Sequence, residues 1–175
     1  MVTLVIGGSA SGKSEYAENL LTQFNEEKVY MATMQPFGPS ADLRIAKHRV
    51  QRAGKGFDTV EAPTTLDIKQ IDPEGKHILF EDLPNLLANE LFGRGNMDVQ
   101  KSFERVILSM QHLIDGADDL IIVTGDMCSD GCDYGEETDI YLQLLGVLHH
   151  AIAAQADYVI EVVAGLPNYI KGDLL

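Results

Sequence analysis

Short apolar runs and helical stripes alternate along this chain. Thr3-Leu4-Val5-Ile6 is a short, largely apolar run that ends at Gly7-Gly8 and reads as a buried strand. After Lys13 the period lengthens. Tyr16, Ala17, Leu20, Leu21 and Phe24 recur at helical spacing, with Glu15, Glu18 and Asn19 assigned to the opposite, polar face. Residues 29–33 are the next expected strand, followed by a loop over 35–40 that contains Pro36, Gly38 and Pro39. A helix is expected over 41–53 and a short strand over 58–61. Residues 78–81 form an apolar run closing on two acids, Glu81 and Asp82. Two helices follow, over 84–91 and 99–114, divided by a turn at 93–96. Residues 120–124 read as another buried strand, 125–135 as a polar, glycine-rich loop, 139–154 as a helix and 158–163 as the last strand. Such alternation predicts an α/β fold, a mostly parallel sheet with helices on both faces. No linker interrupts it, so residues 1–175 are expected to form a single domain.

The first strand-to-helix junction carries chemistry. Gly7-Gly8-Ser9-Ala10-Ser11-Gly12-Lys13-Ser14 fits the spacing G-x-x-x-x-G-K-[ST] of a P-loop. Glycines let successive backbone N–H groups turn inward toward phosphate oxygens, and the helix that starts near Lys13 adds its positive dipole end. Lys13 is placed to reach the β and γ phosphates, and Ser14 to ligate Mg²⁺. A nucleoside triphosphate, ATP or GTP, is therefore the expected substrate, with Mg²⁺ as cofactor. A P-loop works with an acid at the end of a neighbouring strand. Glu81 is the expected metal-associated acid, with the side chain of Asp82 pointing to the opposite face; the alternative is that both acids simply cap the following helix.

Charge narrows the partners. The chain has 27 acidic against 13 basic residues, a formal net charge of -14. That excludes broad nucleic-acid binding, which requires cations to displace counterions, and opposes docking on anionic membrane. No apolar run approaches the roughly 20 residues of a membrane span. Two cysteines, Cys128 and Cys132, fit reduced loop thiols and a cytoplasmic enzyme. His149-His150 reads as an exposed helix pair. Within this acidic chain, residues 44–55 are basic. Arg44, His48 and Arg52 would share one helical face. Either they form a solvated surface or an anion site centred on His48, where the flanking cations disfavour the imidazolium and leave a nucleophilic ring.

Several separated segments resemble one family. They are Gly7-Gly8-x-x-Ser11-Gly12-Lys13-Ser14, Val29-Tyr30-Met31-Ala32-Thr33, Arg44-Ile45-x-x-His48-Arg49-x-x-Arg52, Thr59-Val60-Glu61, and Ala156-Asp157-x-Val159 leading to Val162-Val163-Ala164-Gly165-Leu166-Pro167. Over nearly its whole length the chain resembles the bifunctional adenosylcobinamide kinase / adenosylcobinamide-phosphate guanylyltransferase family of cobalamin biosynthesis. The resemblance implies a RecA-like P-loop NTPase fold and a homo-oligomer, a trimer. It implies phosphorylation of the aminopropanol hydroxyl of a corrinoid, adenosylcobinamide, followed by transfer of GMP from GTP through a phosphoramidate on the histidine that aligns with His48. It also places Thr33, Met34, Gln35, Arg49, Val50, Gln51, Arg52, Glu61 and Glu81 in nucleotide-binding segments. The chain departs from the family pattern at 81–85 and at 125–137, where Gly125-Asp126-Met127-Cys128 replaces the usual Asn-Glu-Val-Gly. Those departures lie on the acceptor side. The alternatives are a P-loop kinase for another small hydroxylated substrate, or a nucleotide sensor lacking one activity.

Overall fold

Leu4 and Val5 are adjacent in sequence and both completely buried. In a strand, neighbouring side chains face opposite sides, so β1 (Val2–Gly7) must be covered on both faces. A computed structural model describes residues 1–24, 26–35, 50, 54–93, 98–127 and 135–172. It places β1 inside a seven-stranded sheet with β2 (Lys28–Ala32), β3 (Phe57–Glu61), β4 (His77–Glu81), β5 (Asp119–Gly125), β6 (Tyr158–Val163) and β7 (Leu166–Lys171). The strand order is β3-β2-β4-β5-β1-β6-β7. All neighbours are parallel except β6 and β7, which form an antiparallel hairpin.

Five helices are present among the described residues: α1 (Lys13–Leu21), the single turn α2 (Thr65–Ile68), α3 (Leu83–Phe92), α4 (Val99–Gly116) and α5 (Glu136–Gln155). On one face Leu4, Met31, Ile78, Phe80 and Ile122 pack with buried side chains of α3, α4 and α5. On the other, Val5, Tyr30, Leu79, Ile121 and Val123 pack with Ala17 and Leu21 of α1. The expected helices on both faces are therefore present. Glu90 of α3, its side chain fully buried, accepts from the backbone N–H and hydroxyl of Thr65, both at 3.0 Å, and pairs with Arg105 of α4 at 3.0 Å. This network ties three helical elements together on the far side of the sheet.

Three expectations need correction. Residues 158–163 are not the last strand, because β7 returns alongside them. Its residues are all exposed, so it lacks the buried alternation by which a strand is read. Glu18, assigned above to the polar face of α1, is fully buried and pairs with Lys55 at 2.6 Å; a charge-paired carboxylate can occupy a packed face that a lone one could not. The run of helical spacing also stops before Phe24, which lies beyond α1 and stacks on His77. The helix expected over 41–53 falls outside the described residues apart from the exposed Val50, as do 94–96 of the turn expected at 93–96 and Cys128 and Cys132.

Candidate functional site

The chain leaves β1 at Gly7, turns through residues 8–12 and enters α1 at Lys13, so the helix N-terminus stands at the C-terminal edge of the sheet. Ala10 and Gly12 carry positive φ angles, 57° and 90°. A left-handed conformation is cheap for Gly12 and costs Ala10 of order 1–3 kcal/mol, which local contacts must offset. The N–H of Ser11 donates to the Gly8 carbonyl at 3.3 Å, and Lys13 folds back so that its Nζ donates to the same oxygen at 3.1 Å. Gly7 has no room for a side chain: a Cβ there would lie 2.5 Å from Ser11 Oγ and 2.7 Å from the Val162 carbonyl oxygen. The Gly7 to Ser14 segment, with Gly7, Gly8, Ser9, Ala10, Ser11, Gly12, Lys13 and Ser14 in one compact turn, thus has the strand–loop–helix context that its spacing predicts.

Glu81 faces this loop from β4. Register explains how. Glu61, Ala32, Glu81, Val123 and Val5 lie in one row across β3, β2, β4, β5 and β1. In-register residues of parallel strands share a face, and Val5 and Val123 pack on the α1 side. Glu81 is therefore turned toward α1. Its Oε1 accepts from Ser14 Oγ at 2.5 Å and its Oε2 from the Tyr30 hydroxyl at 2.7 Å. The acid-bearing strand is not the neighbour of β1, as the sequence suggested; β5 lies between them. Asp82 points the other way and caps α3, accepting from the Asn85 N–H at 2.9 Å. A cis peptide joins Glu81 to Asp82.

The remaining predicted residues divide. Thr33 is buried, and its hydroxyl donates to the Asp82 carbonyl at 2.8 Å and accepts from the Asp82 N–H at 2.7 Å. It fastens the end of β2 to the end of β4. Met34 and Gln35 follow, half-buried, and Glu61 is exposed at the end of β3. His48, Arg49, Gln51 and Arg52 lie outside the described residues, and Val50 is exposed. Sequence reasoning missed Tyr30. The available signal was its place in an apolar strand, since a buried tyrosine needs a partner for its hydroxyl.

At the end of β5, next to the loop, the Asp126 N–H donates to the Gly7 carbonyl at 3.1 Å. Two residues earlier, buried Thr124 meets His149 of α5, with Oγ1 and Nε2 2.7 Å apart. His149 is thus half-buried rather than part of an exposed pair, while His150 is exposed. Burial holds the His149 imidazolium below its ordinary range, and the charge of Asp126 opposes that shift in part. The folded protein therefore binds this proton less readily than the unfolded chain. The stability tied to His149 is fully present above about pH 6.5 and is lost as pH falls through the lowered folded value. Between pH 7.5 and 5.5 the urea midpoint should fall more in the wild type than in His149→Gln. The difference should be a fraction of the ~1.4 kcal/mol per pH unit available to one proton, because the ring is partly exposed. Equal pH slopes would show that His149 is not the group responsible.

The geometry thus presents a glycine-rich loop, a lysine, a helix N-terminus and a hydroxyl–carboxylate pair at one edge of a parallel sheet. Comparison with known proteins gives a match of residues 3–170 to the family model described as cobinamide kinase / cobinamide phosphate guanyltransferase. The bifunctional adenosylcobalamin biosynthesis protein CobP of Pseudomonas aeruginosa is 30% identical over 177 residues, covering 100% of both chains. The bifunctional adenosylcobalamin biosynthesis protein CobU of Escherichia coli is 28% identical over 184 residues, covering 98% of this chain and all of that one. Among solved structures, a prototypical ATPase from the type III secretion system of pathogenic bacteria superposes with a TM-score of 0.54 at 12% identity, over 91% of this chain and 51% of that one. The sheet is thus that of a RecA-like P-loop NTPase.

Proposed function

The chain belongs to the cobinamide kinase / cobinamide phosphate guanyltransferase family, and from that membership we propose how its own residues divide two reactions. In the first, ATP or GTP phosphorylates the aminopropanol hydroxyl of adenosylcobinamide. In the second, GMP passes from GTP to adenosylcobinamide phosphate. The observation that carries this reading is the P-loop with Glu81 held on Ser14 across the site, 2.5 Å apart.

Backbone N–H groups of residues 8–12 receive the phosphate chain, and Lys13 exchanges its bond to the Gly8 carbonyl for phosphate oxygens. Both changes place positive charge where a loose phosphoryl transition state spreads negative charge. Ser14 and Glu81 supply hard oxygen donors that fit Mg²⁺, which takes one or two carboxylates together with substrate phosphates and water. Bound there, the ion would neutralise charge developing on the β and γ phosphates. Tyr30 holds the second oxygen of Glu81 and fixes the carboxylate plane. Thr33 supports the same strand ends, and Met34, Gln35 and Glu61 follow on the nucleotide side.

GMP transfer runs through His48. A ring nitrogen attacks the α phosphorus of GTP, the bond to the pyrophosphate oxygen breaks, and a phosphoramidate forms. An oxygen of adenosylcobinamide phosphate then attacks the same phosphorus and displaces the imidazole. Arg49 and Arg52, with Val50 and Gln51 between them, hold the phosphates. The chain acts as a cytoplasmic single domain over 1–175 and as a homo-oligomer, a trimer by family resemblance. Leu166 and Ile170, exposed on the edge strand β7, favour association. Among the described residues no helix is long and apolar enough to cross a membrane.

Incubating the protein with GTP and Mg²⁺, without corrinoid, should add one GMP mass to the intact chain. The adduct should map to the peptide containing His48, survive alkali and be lost in acid. Nucleotide binding with no such adduct would defeat the guanylyltransferase half of the proposal.

A further inference from the structure

The last hairpin of the chain lies against its first loop. β6 runs parallel to β1, with Thr3 opposite Tyr158 and Ile6 opposite Glu161. Its final residues therefore extend past the end of β1 and alongside the P-loop. Val163 then pairs with Leu166 across a two-residue turn, Ala164-Gly165. Both turn residues have positive φ, 51° and 81°, as a tight hairpin of matching twist requires. The Gly165 N–H does not face solvent. It donates to the carbonyl of Ser11 at 2.7 Å. Contact is also close from the Gly12 side, since a Cβ there would stand 3.1 Å from Gly165 Cα. Farther along, the hydroxyls of Tyr16 on α1 and Tyr169 on β7 are 3.1 Å apart, so the hairpin meets loop and helix together.

This bond has a directional effect. In a planar trans peptide the C=O and the following N–H point opposite ways. Holding the Ser11 carbonyl toward the hairpin turns the N–H of Gly12 away from it. We infer that Gly165 is a positioning residue for the nucleotide site: through Ser11 it sets the Gly12 N–H for the β and γ phosphates. The inference rests on the reading of residues 7–14 as a phosphate cradle. It assigns a role to a residue about 150 positions away, on a hairpin that the sequence pattern does not connect with the loop. It also accounts for glycine at 165. A side chain there would meet no atom within 4 Å, so the restriction is conformational and not one of space.

That distinction supplies the test. Asn tolerates the left-handed region and keeps the N–H; Val, of similar size, is excluded from it by its branched Cβ. Affinities for ATP and AMP, with Mg²⁺, are measured by calorimetry for the wild type, Gly165→Asn and Gly165→Val. Gly165→Val should weaken ATP about tenfold or more while changing AMP by less than about threefold, and Gly165→Asn should stay within about threefold for both. Unchanged ATP affinity in Gly165→Val, or equal loss for ATP and AMP, overturns the inference. Should the Val variant not fold, amide exchange in the wild type decides. The Gly165 N–H should be protected without nucleotide and more protected with MgATP, and an unprotected amide indifferent to nucleotide overturns the inference. A wild type that binds ATP no better than AMP would instead defeat the phosphate-cradle reading itself.

Discussion

Replacing Lys13 with Ala should lower kcat/KM for both corrinoid phosphorylation and GMP transfer by ~10²- to 10³-fold, the size expected when one preorganised charge donor is removed from a transition state. The effect should fall on both reactions because both use a triphosphate and the chain has one loop of this spacing. Folding should survive. The Lys13 Nζ is held only by the Gly8 carbonyl among its described hydrogen bonds, and the loop keeps its Ser11-to-Gly8 and Gly165-to-Ser11 bonds without it. Steady-state rates with each substrate, alongside a thermal melt, check this. Wild-type turnover by the variant would remove the P-loop assignment. Loss of one activity alone would mean that the two reactions do not share this phosphate site.

His48→Ala should separate the reactions. Removal of a covalent nucleophile commonly costs ~10⁴-fold or more, so GMP transfer and the GMP adduct should vanish together. Kinase turnover should stay within about threefold, since that chemistry rests on positioning by Lys13 and charge neutralisation. The informative measurement is the ratio of the two activities in one preparation. If both fall in proportion, or if the melting temperature collapses, His48 serves the structure of its segment rather than a covalent step. A variant that still forms the adduct would place the nucleophile elsewhere.

The nucleotide side was legible from sequence because its signals are local. Gly7-Gly8 after an apolar run, Gly12-Lys13-Ser14 at the start of a helical stripe, and Glu81 at the end of another apolar run each follow from spacing within a few residues. That Glu81 and Asp82 face opposite sides was legible too, from alternation along β4; that Asp82 alone caps α3 was not. What escaped notice depends on residues far apart. The interposed strand β5 belongs to sheet order, which no local pattern encodes. Glu18 looked solvated because its partner, Lys55, lies well beyond the helix. His149 looked exposed because its neighbour was taken with it; Thr124, which receives it, is 25 positions away. β7 has no buried face to reveal it.

The sheet order also governs when this protein can become active during its synthesis. β1 is made first, yet its two neighbours in the sheet, β5 and β6, are among the last strands to be made. The P-loop strand must therefore wait for nearly the whole chain before it is flanked on both sides, and for Gly165 before its loop is braced. Closing such long separations is slow, and an unpaired apolar strand invites wrong partners meanwhile. A nascent chain halted before residue 157 would carry every residue of the phosphate loop and have β5 on one side of β1, yet lack β6 on the other side and Gly165 against the loop, so it should bind ATP poorly and draw on chaperones more than its size suggests.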